Sequence, residues 1–231
     1  MARTVNRTAG FGTERAAEYR RVLLSTESAI IFPGGKIIDG SESRDTLNTG
    51  YLHTLRAGTL MGLNSTSSLY CPSIIGTLST AHTSNSATSM TVSAATATEI
   101  VRRIGSSGTF YLTGPPASAG TVATGTITFS AVNTTTGVIT VTATSTDYIS
   151  GSWIQPTDGS ATPLCLIGDC DGIKVTDENE ADVDVPFVPM LVGGILDSSQ
   201  ILYWPTDTSL RTQIRTWLRA YGLGFVFDDQ F

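Results

Sequence analysis

Thr126-Ile127-Thr128-Phe129-Ser130 and Val138-Ile139-Thr140-Val141-Thr142, joined by a turn over residues 133–137, decide how this chain is read. The first run alternates strictly, with Ile127 and Phe129 on one face and Thr126, Thr128 and Ser130 on the other. Period-two alternation is the pattern of a half-buried strand, and a short turn containing Gly between two such runs predicts a hairpin. One face of that hairpin must pack on a core while the other meets water through hydroxyls. The expected fold class is mostly β with a few short helices, a β-rich α+β chain.

Around the hairpin, residues 65–162 hold only Glu99, Arg102, Arg103, Asp147 and Asp158 as charges, in a background of Thr, Ser, Ala and Gly. Ser89-Met90-Thr91-Val92 predicts a strand. Residues 96–104 predict one short helix, with a hydroxyl cap at its start and Gly105 just past its end. Thr109-Phe110-Tyr111-Leu112 predicts the next strand, stopped by Gly114-Pro115-Pro116, and residues 148–154 an edge strand. Together these make a β-rich module with one helix.

The flanks differ in character. Residues 1–12, with Gly10 and Gly12 and little apolar weight, are expected as a flexible N-terminal arm. Fixing them would cost roughly 12–24 kcal/mol of backbone entropy, so the arm should order only against a partner. Thr13-Glu14 is expected to open a short helix that uses Ala16, Ala17, Tyr19, Leu23 and Leu24. Ala57-Gly58-Thr59-Leu60-Met61-Gly62-Leu63 predicts a compact strand, with glycines where another backbone comes close. The acidic stretch up to Asp184 predicts an exposed loop or edge hairpin, and residues 187–196 are apolar enough to require cover. Residues 209–221 give the strongest helix, with Leu210, Ile214, Trp217, Leu218 and Tyr221 on one stripe and Arg211, Arg215 and Arg219 on another side. Gly222 should end it and Phe225-Val226-Phe227 should make a last strand.

Bulk chemistry excludes several function classes. A formal net charge of −6 argues against nucleic-acid binding, which needs many cationic phosphate contacts. No apolar run approaches the ~20 residues that cross a bilayer, so no membrane partner is expected. Arginines nonetheless crowd one end: Arg3, Arg7, Arg15, Arg20 and Arg21 fall within the first 21 residues, against two acids. Cys71, Cys165 and Cys170 complete no zinc site. A Cys165–Cys170 disulfide stands beside the simpler reading of buried free thiols. His53 and His82 sit in no recognisable pair or triad, and no phosphate loop, nucleophile elbow or zinc-protease motif occurs. Residues 177–182 lack the turn Gly of a calcium loop, and Ala181 replaces a ligand. No active site, metal or cofactor is expected.

Several short motifs in the flanks occur in a telling order: Ser43-Arg44-Asp45, Ala57-Gly58-Thr59-Leu60-Met61-Gly62, Gly194-Ile195-Leu196, Trp204-Pro205, and a helix running to Gly222. In that order they resemble the lambda-type head decoration proteins of tailed phages, over roughly half the chain. Two departures stand out, since the family is about half this length and its N-terminal stretch is shorter. The resemblance implies a decoration-protein-like core from residues 13–64 and 163–231, interrupted by residues 65–162 as an inserted Thr/Ser-rich β module. It implies a homotrimer on the outer capsid surface at three-fold sites, made in the host cytoplasm and stabilising the expanded head by binding the major capsid protein. The arm residues Arg3, Thr4, Val5, Arg7 and Phe11 would meet the shell, and Trp204 and Trp217 would lie in the core or at the trimer interface. A phage fibre, baseplate or adhesin-type module that binds glycans is the alternative.

Overall fold

The computed structural model describes residues 19–84, 87–116, 121–221 and 223–228, and its chain is mostly β with short helices. In chain order the first strands are β1 (Ile30–Ile31), β2 (Lys36–Ile38), β3 (Thr54–Leu55), β4 (Leu60–Leu63), β5 (Tyr70–Pro72), β6 (Gly76–Thr77) and β7 (Ser89–Thr91). Helix α1 (Ala94–Arg103) follows, then β8 (Gly108–Gly114), β9 (Ala123–Asn133), β10 (Val138–Val141) and β11 (Trp153–Gln155). The remainder is β12 (Cys165–Ile167), β13 (Ile173–Lys174), β14 (Val185–Val188), β15 (Met190–Leu196), helix α2 (Thr208–Tyr221) and β16 (Phe225–Phe227).

Two sheets dominate. The eight-stranded sheet has the order β1-β15-β12-β4-β5-β2-β14, with β16 added in parallel to β15. A six-stranded sheet, ordered β6-β11-β8-β9-β10-β7, takes all its strands from residues 76–155. Strand β5 lies beyond residue 65 in sequence yet pairs with β4 and β2 in the larger sheet.

Alternation along the strands of the larger sheet builds a core on each of its faces. Leu60, Leu166 and Leu191 point into one core and their neighbours Met61, Cys165, Ile167, Met190 and Val192 into the other. The first core is capped by α2 through Leu210, Ile214 and Leu218, spaced to share one helical stripe. The Asp207 carboxylate accepts hydrogen bonds from the Ser209 and Leu210 amides (2.9 Å each), satisfying two of the helix's orphan donors. Tyr221, expected on the same stripe, is instead 59% exposed, because the last turn runs past the core, whose final α2 member is Leu218. Gly222 lies outside the described residues.

The smaller sheet buries Phe110, Leu112, Ile127, Phe129 and Ile139 under Ala97 and Ile100 of α1. The β9–β10 hairpin pairs as its alternation requires, with Ile127 and Phe129 buried and Thr126, Thr128 and Ser130 exposed. Helix α1 starts two residues earlier than Thr96, because the Ser93 hydroxyl caps it by accepting from the Thr96 amide (3.0 Å). Trp153 to Gln155 form an interior strand between β6 and β8, so the expected edge strand is a central one.

The expected helix over residues 13–24 is absent in its described part. Arg20 donates its amide to the Cys170 carbonyl (3.2 Å), and the Leu24 amide bonds the Ile195 carbonyl (2.9 Å). The Asp169 carboxylate accepts from both the Val22 (2.6 Å) and Leu23 (3.0 Å) amides. Extended pairing that buries Val22 and Leu23 outweighs a local helical pattern with few apolar positions. Gly62 meets its expectation: any Cβ there would collide with the Ser160 backbone. The three cysteines are free.

Candidate functional site

A cluster of buried and half-buried polar side chains lies at the seam where the two sheets meet. Arg103, at the last turn of α1, reaches toward β5 of the larger sheet with its side chain only 1% exposed. Its guanidinium pairs with Asp158 (2.8 Å) and donates to the Pro72 carbonyl (2.7 Å) and the Ser160 hydroxyl (2.7 Å), with Glu42 3.4 Å away. Burial opposes the charge on Arg103, yet Cys71 and Asp158 outweigh it and raise its pKa. Burial likewise works against ionised Asp158, but Arg103 and hydrogen bonds from Ser160 hold its carboxyl below the usual value. The preceding residue, Arg102, forks onto Glu99 one turn back with two 2.6 Å bonds and also reaches the Ser41 carbonyl.

Tyr203 anchors the same seam from the other side. Its hydroxyl bonds Thr46 and the Ile75 carbonyl, while its own carbonyl accepts from the Trp153 indole (3.2 Å). Trp153 belongs to β11 of the smaller sheet but is fully buried in the first core of the larger one. Four of the five charges in residues 65–162, namely Glu99, Arg102, Arg103 and Asp158, sit here. The fifth, Asp147, accepts from the Ser84 amide. A segment almost free of charge keeps them where buried or half-buried pairing holds two sheets in register, and that scarcity was the available sequence signal for the seam.

This arrangement is a clamp, its charged groups paired with one another. A cavity of about 160 Å³ beside it is lined by Arg44, Thr46, His53, Glu99 and Arg102, but both arginines are engaged by carboxylates, Arg44 by Asp182 and Arg102 by Glu99. Burial pushes the Cys71 thiol up to about 11 and Cys165 to about 12, so neither supplies a thiolate near neutrality. Burial lowers the pKa of His53, while buried His82 bonds the Thr144 hydroxyl (3.0 Å). Among the described residues no group of three His, Cys, Asp or Glu side chains is placed to hold a metal ion.

The motif residues of the flanks are mostly internal. Ser43, Arg44 and Asp45 are buried, and Asp45 grips Arg56 through bonds of 2.6 and 3.0 Å. Trp204 stacks on Phe227 with ring centres 5.6 Å apart, and Trp217 meets Trp153 at 5.7 Å. Both tryptophans are partly buried against the first core. Arg215 lies over the Trp204 and Phe227 rings at 5.6 and 5.8 Å. Arg3, Thr4, Val5, Arg7 and Phe11 lie outside the described residues. In comparisons with known proteins, no family model matches the chain, and no curated protein or solved structure matches it.

Proposed function

We propose that the chain is a virion structural protein that binds the outer surface of a phage capsid, as trimers at three-fold sites, and stabilises the expanded head. The observation that carries this reading is the clustering of the resembling motifs. Ala57 to Gly62 lead into β4, Gly194-Ile195-Leu196 close β15, and β12 joins those two strands in one sheet. Trp204-Pro205 leads into α2 over that sheet, while residues 76–155 supply a separate sheet. An ancestral small core carrying an added module would have this layout.

The mechanism is binding without turnover. Arg3 and Arg7 suit bidentate pairing with shell carboxylates, and Thr4, Val5 and Phe11 add backbone and apolar contact. A trimer engages several major capsid protein subunits at once, so modest contacts sum through avidity. Nucleic acid and membrane are not partners in this reading. The alternative, a fibre, baseplate or adhesin-type module that takes glycans, draws support from the uncharged outer face of the smaller sheet, where Thr124, Thr126, Thr128, Ser130 and Thr140 are exposed.

Removing residues 1–12 is expected to leave the circular dichroism spectrum of the folded chain unchanged and to abolish binding to purified expanded capsids in a co-sedimentation assay. Undiminished capsid binding by the truncated chain would contradict the assignment of the arm.

A further inference from the structure

We propose that the outer side of β14 and the acidic turn leading into it form a docking site for the chain's own first twelve residues. Phe187 is 80% exposed and sits at φ +60°, a left-handed backbone that bulky side chains rarely adopt. Such a conformation is unfavourable by itself and persists only where neighbours impose it. Gly35 is that neighbour: a Cβ at this glycine would stand 2.6 Å from the Phe187 carbonyl carbon, so the two backbones cross too closely for a side chain. The β14–β2 ladder shifts register between Val185↔Ile38 and Val188↔Lys36, turning Pro186-Phe187 outward. Ile37 (43% exposed) and Val183 (38%) extend the apolar surface.

Strand β14 ends the sheet, and among the described residues no strand pairs with its outer side. Pro186 lacks an amide hydrogen and the bulge breaks the ladder, so this side disfavours strand addition. What it offers is an aromatic anchor and charge.

Residues 177–184 hold Asp177, Glu178, Glu180, Asp182 and Asp184 with no cation. Three of these have internal duties. Asp177 accepts from the Asn179 (2.8 Å) and Ala181 (2.9 Å) amides, Asp182 pairs with Arg44, and Asp184 accepts from the Gly40 amide (3.1 Å). Glu178 and Glu180 are exposed and make no ion pair with a described residue.

The complementary segment lies in the same chain. Residues 1–12 carry Arg3 and Arg7 with no acid, together with Val5 and Phe11. The antiparallel bridge Arg20↔Cys170 sets the start of the described chain beside Cys170, seven residues before Asp177 opens the acidic turn. Seven extended residues, 13–19, reach about 23 Å at ~3.3 Å each. Tethering makes the contact intramolecular, at an effective concentration in the millimolar range for a short linker. The inference goes beyond the shell-binding reading and does not depend on it; where both hold, the shell competes with the turn for the same arginines.

Hydrogen–deuterium exchange on the full chain at low salt tests it, comparing the wild type with R3S/R7S. Amides of residues 176–188 are expected to exchange about fivefold faster in the variant, the scale set by two exposed ion pairs. Glu178→Gln with Glu180→Gln should speed exchange in residues 1–12 in the same way. Unchanged exchange at residues 176–188 in R3S/R7S would overturn the proposal. So would protection that rises with protein concentration, which would place the segment on a second copy.

Discussion

Arg103→Ala is expected to lower the unfolding free energy by about 3–5 kcal/mol, the cost of removing one partner from a buried ion pair. The guanidinium, carried on α1, bonds β5 through the Pro72 carbonyl and the turn at residues 158–160 through Asp158 and Ser160, and its side chain is 1% exposed. Truncation leaves Asp158 half-desolvated and the Pro72 carbonyl without that donor. It also removes the charge that holds the Asp158 carboxyl below its usual range. Urea denaturation of Arg103→Ala, Asp158→Asn and the double variant measures the coupling. The double variant should lose clearly less than the sum of the two single losses, because removing both charges leaves neither stranded. A loss below about 1 kcal/mol for Arg103→Ala would mean that the cluster behaves as a solvated surface pair.

Trp153→Ala should cost about 3–5 kcal/mol, the range for truncating a fully buried large aromatic. Truncation leaves a cavity beside Trp217 within the first core, and the Tyr203 carbonyl loses its indole donor. The effect should also be visible in cooperativity. Trp153 is a strand residue of one sheet and a core residue of the other, so the wild type should unfold in one transition by fluorescence and far-ultraviolet circular dichroism. In the variant the two probes should separate. Coincident curves with a loss under about 1 kcal/mol, the scale of an ordinary substitution, would show that the sheets do not depend on this contact. Excising residues 79–160 for a linker removes Trp153, Arg103 and Asp158 at once, so a spacer would leave the larger sheet with an open core.

What the sequence made legible was local. The β9–β10 hairpin, the α1 and α2 helices and the β16 strand follow from alternation, helical stripes and turn residues a few positions apart. Beyond the scarcity of charge in residues 65–162, the seam was not legible, because Arg103 meets Asp158 and Pro72, and Trp153 meets Tyr203, across long stretches of chain that no periodicity connects. The N-terminal approach was misread for a related reason. Leu23 and Leu24 fit a helical stripe, but the backbone of β15 offered pairing that a local pattern could not reveal. Phe187 failed differently: it sits in an apolar run that should be covered, and its exposure arises from a bulge and a glycine crossing 152 residues away in sequence. Cys165 fits the reading of a buried free thiol, facing Met190 (3.4 Å between sulfurs) within the second core, while Cys170 is free but only half-buried.

The most direct test of the central claim is the copy number of this protein relative to the major shell protein in purified particles, by quantitative mass spectrometry. A decoration protein that covers the head should give a ratio near one to one. A ratio of a few per cent, or absence from particles, would contradict it.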